Sequence, residues 1–266
     1  MSTDNWNAHT YSTTVAPFVP RLTARVVGLL ALQPGDTLLD LGCGDGVLTS
    51  TFSRQCKQVI GIDSSPAMIA ACPPADNTTY MAASALSLPP DLPRVHKIFS
   101  NAALHWVLRT TPAERTAFFA RCHDLLLPGG SFVAECGAHG NVAEVHAAVT
   151  SALLHRGVAA QAARDSAPWW FGSQRDFRAL LEGAGFAVEV LETELRQTEL
   201  TAGSEGGIRG WVRLFASTML ACLPVAADRD AAVEEVAEAL EGVGRREDGG
   251  MWVNYVRVRF VARRPE

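Results

Sequence analysis

Lysine is nearly absent. Lys57 and Lys97 are the only two in a 266-residue chain with 23 basic residues, so 21 of these are arginines. Against 28 acidic residues the formal net charge is −5. That balance argues against a nucleic-acid binder working through bulk positive charge, but it leaves room for a few guanidiniums that grip an anionic ligand. Long apolar runs are missing too. The longest, residues 26–32, is far short of the ~20 residues a membrane-spanning helix needs. The opening Met1-Ser-Thr-Asp-Asn5 carries an early acid instead of a basic-then-apolar secretion signal. The closing Arg264-Pro-Glu266 forms no lipidation box. The six cysteines (Cys43, Cys56, Cys72, Cys122, Cys136 and Cys222) contain no C-x-x-C pair and no zinc-ligand spacing with histidine. These absences predict a reduced, cytoplasmic protein with no disulfide and no metal. The cysteines would then be small buried apolar residues. What is present is apolar bulk: 48% of the residues are hydrophobic. That is enough for a sizeable core and rules out wholesale disorder.

The apolar residues recur in two rhythms. Residues 12–33 have a helical period and stop at Pro34-Gly-Asp36. A short unbroken apolar run at 37–41 reads as a strand buried on both faces, and the segments 58–63, 79–83, 96–100 and 130–135 read as four more strands. Helical patterns separate them. One covers 47–54. Another opens with Ser65 as N-cap and Pro66 at the first helical position. A third starts at a capping box, Thr111-Pro-Ala-Glu114, and is stopped by Pro128-Gly-Gly130. This alternation predicts right-handed βαβ units in an open, mostly parallel sheet. After residue 135 the spacing predicts a helix over 141–156 capped by Asn141 and an irregular stretch to 172. A helix over 173–182, a strand over 187–192, two helical patterns within 204–243 and a final strand over 252–262 follow. The acidic, alanine-rich stretch 226–241 reads as a solvated helix.

Gly42-Cys-Gly-Asp-Gly46 follows the first strand directly and precedes a helix, where nucleotides bind in a doubly wound sheet. The spacing is G-x-G-x-G, with Val47 where a dinucleotide fingerprint has its third glycine, which argues against an NAD-dependent dehydrogenase. No Gly-Lys-Ser/Thr follows, so it is not a P-loop. Asp40 stands inside the strand, and Asp63 ends the next one. A carboxylate in that position can accept both hydroxyls of a ribose and would repel a 2′-phosphate.

Leu38-Leu-Asp-Leu-Gly-Cys-Gly-Asp-Gly46 followed by Val59-Ile-Gly-Ile-Asp-Ser-Ser-Pro-Ala-Met-Ile69 resembles the class I S-adenosylmethionine-dependent methyltransferases. Ser100-Asn-Ala-Ala-Leu-His-Trp106, Gly210-Trp-Val-Arg-Leu-Phe215 and Tyr255-Val-Arg-Val-Arg-Phe260 are similar to the trans-aconitate and malonyl-carrier-protein methyltransferase group. The resemblance implies a doubly wound, seven-stranded α/β sheet with its last strand antiparallel. It implies S-adenosylmethionine as cofactor, with Asp40, Gly42 and Gly44 along its methionine and ribose parts and Asp63 on the ribose hydroxyls. Ser64, Met68, Ser84 and Ala85 would lie at the adenine, the main-chain carbonyl of Asn101 at the amino group, and Tyr11 over the site. Many relatives carry aspartate where this chain has Ser84, which puts that adenine contact in question.

A single domain is expected: a cap helix over 1–36, a cofactor-binding core over 37–135, and helical lid insertions over 136–172 and 193–250 that build the acceptor pocket. Methyl transfer to a carboxylate needs positioning and exclusion of water; transfer to a hydroxyl gains from a nearby base. His105 is the candidate base. Trp106, Trp169, Trp170 and Phe171 are candidate apolar pocket walls, His139 a candidate to reach the cleft, and Arg209 and Arg213 candidate grips for an anionic acceptor. The expected activity is methylation of a small molecule, carboxylate oxygen first and hydroxyl second. Thiol or amine acceptors, or a non-catalytic use of the cofactor, are the alternatives. No nucleic-acid or membrane partner is expected, and the protein would be a monomer or a homodimer.

Overall fold

The computed structural model describes residues 23–202 and 206–266. The apolar runs form β1 (Thr37–Leu41), β2 (Gln58–Asp63), β3 (Thr78–Ala82), β4 (Val95–Asn101) and β5 (Leu126–Gly137). Two longer strands, β6 (Ala187–Glu199) and β7 (Trp252–Arg263), complete one sheet in the order β3-β2-β1-β4-β5-β7-β6. The first five strands pair in parallel. β7 is inserted between β5 and β6 and is antiparallel to both, as the resemblance implied.

Alternation sorts the core. Leu38, Phe99 and Val133 face the side covered by α1 (Ala24–Leu30) and α2 (Val47–Phe52), where they meet Val26, Leu30 and Phe52. Leu39, Leu41, Ile98 and Phe132 face the other side. There they meet Phe118 and Phe119 of α5 (Pro112–Leu125) and Phe177 and Leu181 of α8 (Gln174–Gly183). The local stop and start signals act as read. The Ser65 hydroxyl accepts the Met68 amide at the head of α3 (Pro66–Ala71), and Thr111 and Glu114 close a reciprocal capping box on α5.

Four departures have physical reasons. β5 starts at Leu126, not 130: it runs through Pro128, Gly129 (φ +72°) and Gly130, and its ladder with β4 shifts register between Val95 and Lys97. Asn141 does not cap α6 (Ala143–His155). Its Oδ1 accepts the Val256 amide, and Glu144 Oε1 accepts the Asn254 amide, so the start of α6 closes an edge of β7. Val142 takes the left-handed φ of 45° at that junction, a strained choice for a β-branched residue. A short helix, α4 (Leu104–Val107), stands between β4 and α5, where the sequence reading assigns no element.

The fourth departure shapes the site. The 193–250 insertion was expected to begin where β6 in fact continues to Glu199, paired with Trp252. β5 stops at Gly137 opposite Arg257, so β7 residues 252–256 pair with β6 alone and project past the sheet. This two-stranded arm carries a second core. It joins α6, α7 (Ala160–Asp165), α9 (Gly207–Phe215), α10 (Ser217–Leu220) and α11 (Ala226–Gly244) through Val149, Leu153, Trp211, Met219, Val236 and Leu240. Thus α11, expected to be solvated, buries one face. No helix among the described residues is long and apolar enough to cross a membrane.

Phe260 is fully buried among Phe119, Phe132 and Phe177, with ring centroids 5.1–6.4 Å away. Phe260→Ala is expected to destabilise the fold by about 3–5 kcal/mol, read from urea unfolding.

Candidate functional site

A cavity of about 650 Å3 opens at the C-terminal ends of β1, β2 and β4 and runs under the helical layer. That is within the roughly 300–1,000 Å3 range of small-molecule sites. One end is built by the glycine loop. The Gly42 and Cys43 amides both donate to the Ile62 carbonyl, at 2.7 and 3.0 Å, and lash the loop to β2. Gly42 has φ +75°, and a Cβ there would lie 2.2 Å from the Ala103 Cβ. Gly44 has φ +57°, and an added Cβ would meet no protein atom within 4 Å. It borders the cavity, so its missing side chain leaves room for a ligand backed by bare backbone.

Asp63 lies beside it. Its Oδ2 accepts the Gly44 amide at 3.0 Å and its Oδ1 the Ser65 amide at 2.9 Å. A carboxylate oxygen has two lone pairs, and this group borders the cavity, the placement of an acid that takes the two hydroxyls of a ribose. Ser64, Met68, Ser84, Ala85 and Asn101 line the same end. The Ser84 hydroxyl accepts the Leu86 amide at 3.3 Å and retains its own proton to donate. Asp40 does not reach the cavity as expected. It is 3% exposed behind the loop, and the Thr49 hydroxyl donates to it at 2.6 Å. Burial, opposed in part by Thr49 and reinforced by the nearby Asp63 charge, pushes its carboxyl up to about 7. Tyr11 lies outside the described residues.

The far end is aromatic. Trp106, Trp169, Phe171, Trp211 and Phe215 line it, with Trp169 stacked on Phe171 at 5.5 Å. The Trp211 indole donates to the Tyr255 hydroxyl at 2.6 Å. Trp106 and Trp169 therefore stand where expected. Trp170 does not: alternation turns it away from the cavity onto Phe177, under the Arg115 guanidinium. His139 is exposed and lines no part of the cavity. Arg209 and Arg213 are also misplaced by the sequence reading. α9 buries Ile208, Trp211 and Val212, so positions 209 and 213 share the outer face. There they pair with Glu234 and Asp230 of α11.

His105 is buried and borders the cavity, but its geometry is not that of a base. Its Nδ1 accepts the Gly137 amide at 3.3 Å. A backbone N–H can only donate, so the neutral ring carries its proton on Nε2. Burial, together with the Arg257 charge, lowers its pKa well below the ordinary 6.5, which keeps the ring neutral at pH 7. Its Nε2–H is a donor.

A charged group unforeseen in the sequence flanks this histidine. Glu135 on β5 is 1% exposed. Arg196 reaches its two oxygens at 2.9 and 3.1 Å, Arg259 donates to Oε2 at 2.5 Å, and Arg257 to Oε1 at 3.4 Å. Burial pushes the Glu135 carboxyl up, but the three guanidiniums outweigh it and hold it below the usual carboxylate range. Glu135, Arg196 and Arg257 line the cavity. The signal for them was like-sided charge at period two: Glu192-x-Glu194-x-Arg196 and Tyr255-x-Arg257-x-Arg259. Only strand pairing shows that the two stripes share a face.

A methyltransferase-domain family model matches residues 38–130. An uncharacterized methyltransferase of Schizosaccharomyces pombe is 40% identical over 267 residues, covering 98% of this chain and 99% of the relative. A putative methyltransferase from Bacillus halodurans superimposes with a TM-score of 0.61 at 16% identity, covering 92% of this chain and all of its own. The mycolic acid cyclopropane synthase CmaA1, solved with SAH and CTAB, does so with a TM-score of 0.55 at 15% identity, covering 92% and 83%. The chain belongs to the methyltransferase family, and its fold and glycine-loop site are those of a class I, S-adenosylmethionine-dependent enzyme.

Two outcomes are expected. Gly44→Ala should fold with a penalty of roughly 1–2 kcal/mol for the left-handed backbone. Because its methyl group enters the cavity, S-adenosylhomocysteine affinity measured by calorimetry should fall about 10-fold or more. Asp40 binds its proton more tightly folded than unfolded, so its contribution to stability is present at low pH and lost as pH rises from 3.8 toward about 7. Asp40→Asn should therefore gain stability relative to wild type between these limits, by up to about 4 kcal/mol. Urea melts at acid and neutral pH check this; a difference independent of pH would refute it.

Proposed function

We propose that the enzyme transfers the methyl group of S-adenosylmethionine to a carboxylate oxygen of a small molecule held under the helical layer. Bound at the glycine loop, S-adenosylmethionine supplies an electrophilic methyl on a sulfonium that leaves as a neutral thioether. Gly42 and Gly44 admit it, Asp63 takes its ribose hydroxyls, and the Ser84 hydroxyl and Met68 border its adenine. The aromatic end excludes water and orients the acceptor, which is most of what such a displacement requires.

One observation carries the choice of acceptor: the cavity's histidine commits Nδ1 to the Gly137 amide and presents only a donor. The carboxylate at that end, Glu135, is held by three arginines. A hydroxyl or protonated amine gains from a base, and none is offered here by the described residues. A carboxylate is ionised at pH 7 and needs none. The likeness of Ser100–Trp106 to the trans-aconitate and malonyl-carrier-protein group supports the same choice. The six free thiols and the net charge of −5 support a cytoplasmic enzyme with a small-molecule acceptor.

A labelled-methyl screen over pools of acids, phenols, thiols and amines tests the reading. Label should appear as base-labile methyl ester, with kcat/KM for an acid flat between about pH 6 and 8, because no catalytic base titrates there. Label confined to phenols, thiols or amines would overturn it.

A further inference from the structure

Gly137 and Arg257 are direct partners across the β5–β7 ladder, where paired Cα atoms stand about 4.5–5.5 Å apart. The Gly137 amide donates to His105 Nδ1. One backbone pair therefore fixes both His105 and Arg257 at the same wall of the cavity, and both line it. Arg257 is 8% exposed. Its Nε donates to Glu135 at 3.4 Å, and its two terminal amino groups meet no acceptor among the described residues. His105 Nε2–H likewise has no partner among them. Arg196, beside it, is fully engaged: its Nη atoms serve Glu135 and its Nε serves Glu194. Arg109 is engaged too, donating to the Ala167 and Asp165 carbonyls.

The charges around Arg257 can be counted. Arg25, Arg196, Arg257 and Arg259 meet Glu135, Glu192 and Glu194 in one connected network. Four guanidiniums against three carboxylates leave one positive charge, and among the described residues Arg257 is the buried member whose two terminal amino groups meet no acceptor, whereas Arg25 is exposed. A buried, partly paired guanidinium is costly unless an anion completes it. The rest of the wall at this end is largely indole and phenyl surface, broken by Asn141, Thr198, Tyr255 and the guanidiniums of Arg196 and Arg109, which are already bound to carboxylates and to backbone carbonyls respectively.

Resting on the carboxylate reading, we propose that Arg257 and the Nε2–H of His105 form a two-donor clamp for one carboxylate, and that the acceptor is a mono-carboxylic acid with an aromatic or hydrocarbon body. The guanidinium and imidazole take the oxygens, and the body lies against Trp106, Trp169 and Phe215. One carboxylate oxygen attacks the methyl carbon, the carbon–sulfur bond breaks, and the electron pair leaves with sulfur. The acid becomes its methyl ester, and no proton moves. A second or third carboxylate would have to lie against ring surface, with only the exposed Arg109, tied to two backbone carbonyls, as a further unneutralised cation on the wall, so polyacids are disfavoured by the same wall that holds the monoacid.

Initial rates with the full chain decide this, using phenylacetate and octanoate against succinate and trans-aconitate. The monoacids should be esterified with at least about 10-fold higher kcat/KM than the polyacids. Arg257→Gln should raise KM for phenylacetate about 10- to 100-fold, the loss of a charge-assisted hydrogen bond, and leave S-adenosylhomocysteine affinity unchanged. His105→Asn, whose Oδ1 can still accept the Gly137 amide but whose shorter side chain places no donor where Nε2–H stands, should raise KM less. Arg257→Lys keeps a point charge; it should fold and show an intermediate KM, and it serves if the glutamine variant fails to bind S-adenosylhomocysteine. Preference for trans-aconitate, or an unchanged phenylacetate KM in an Arg257 variant that still binds S-adenosylhomocysteine, would overturn the clamp while carboxylate methylation stands. Absence of ester from every acid would remove the carboxylate reading itself, and the clamp with it.

Discussion

The carboxylate of Glu135 sits near the middle of the molecule at 1% exposure. An ionised group removed from water to that degree requires charged partners. They come from both of the last two strands: Arg257 and Arg259 from β7, Arg196 from β6. The network ties β5, β6 and β7 in a single register, because a one-residue slip would turn every guanidinium to the opposite face of the sheet. Removing one partner of a buried pair of this kind typically costs about 3–5 kcal/mol. The register so fixed sets Arg257 opposite Gly137, and the paired arm beyond that point carries Tyr255, Arg196 and Thr198 over the cavity.

The two ends of the cavity use different physics. At the glycine loop, specificity is made with backbone: two amides on the Ile62 carbonyl, a third on Asp63, and space where a Cβ would stand at Gly44. At the aromatic end it is made with side chains from α4, the segment after α7, α9 and β7, elements far apart in the chain. His105 joins the ends. Its ring is oriented by the Gly137 amide, and a neutral, donor-bearing imidazole beside a guanidinium suits recognition of an anion better than abstraction of a proton. The strained Val142, with φ 45°, also borders this end. It marks where the chain leaves the sheet for the helical layer, and the hydrogen bonds of Asn141 and Glu144 to β7 hold it there.

Much of the sheet was legible in the chain. β1 and β2 have the bounds their apolar runs predict, Ser65–Pro66 opens α3, and the Thr111–Glu114 box opens α5. These signals act over a few residues, and neighbouring backbone groups satisfy them locally. The cofactor end was legible for a related reason. Gly42, Gly44, Asp63, Ser64, Ser84, Ala85 and Asn101 lie at or just past strand ends that a parallel sheet gathers on one side, Met68 follows on the first turn of α3, and all border the cavity. Asp40 was the exception there, because its partner Thr49 lies on the helix behind the loop.

The acceptor end was decided only in three dimensions. Arg209 and Arg213 look like anion grips beside Trp211, yet helical geometry places them on the outer face against α11. Trp170 follows a cavity residue and so points elsewhere. Glu135 and Arg257 are 122 positions apart, and nothing local marks them as partners. Sequence by itself determined the strand rhythm, the glycine turn and the acid that answers it, because each is a short-range demand on backbone geometry. Tertiary structure alone decided that, among the described arginines, Arg257 borders the cavity buried and with both terminal amino groups unpaired. That choice depends on strand register and on the buried carboxylate that enforces it.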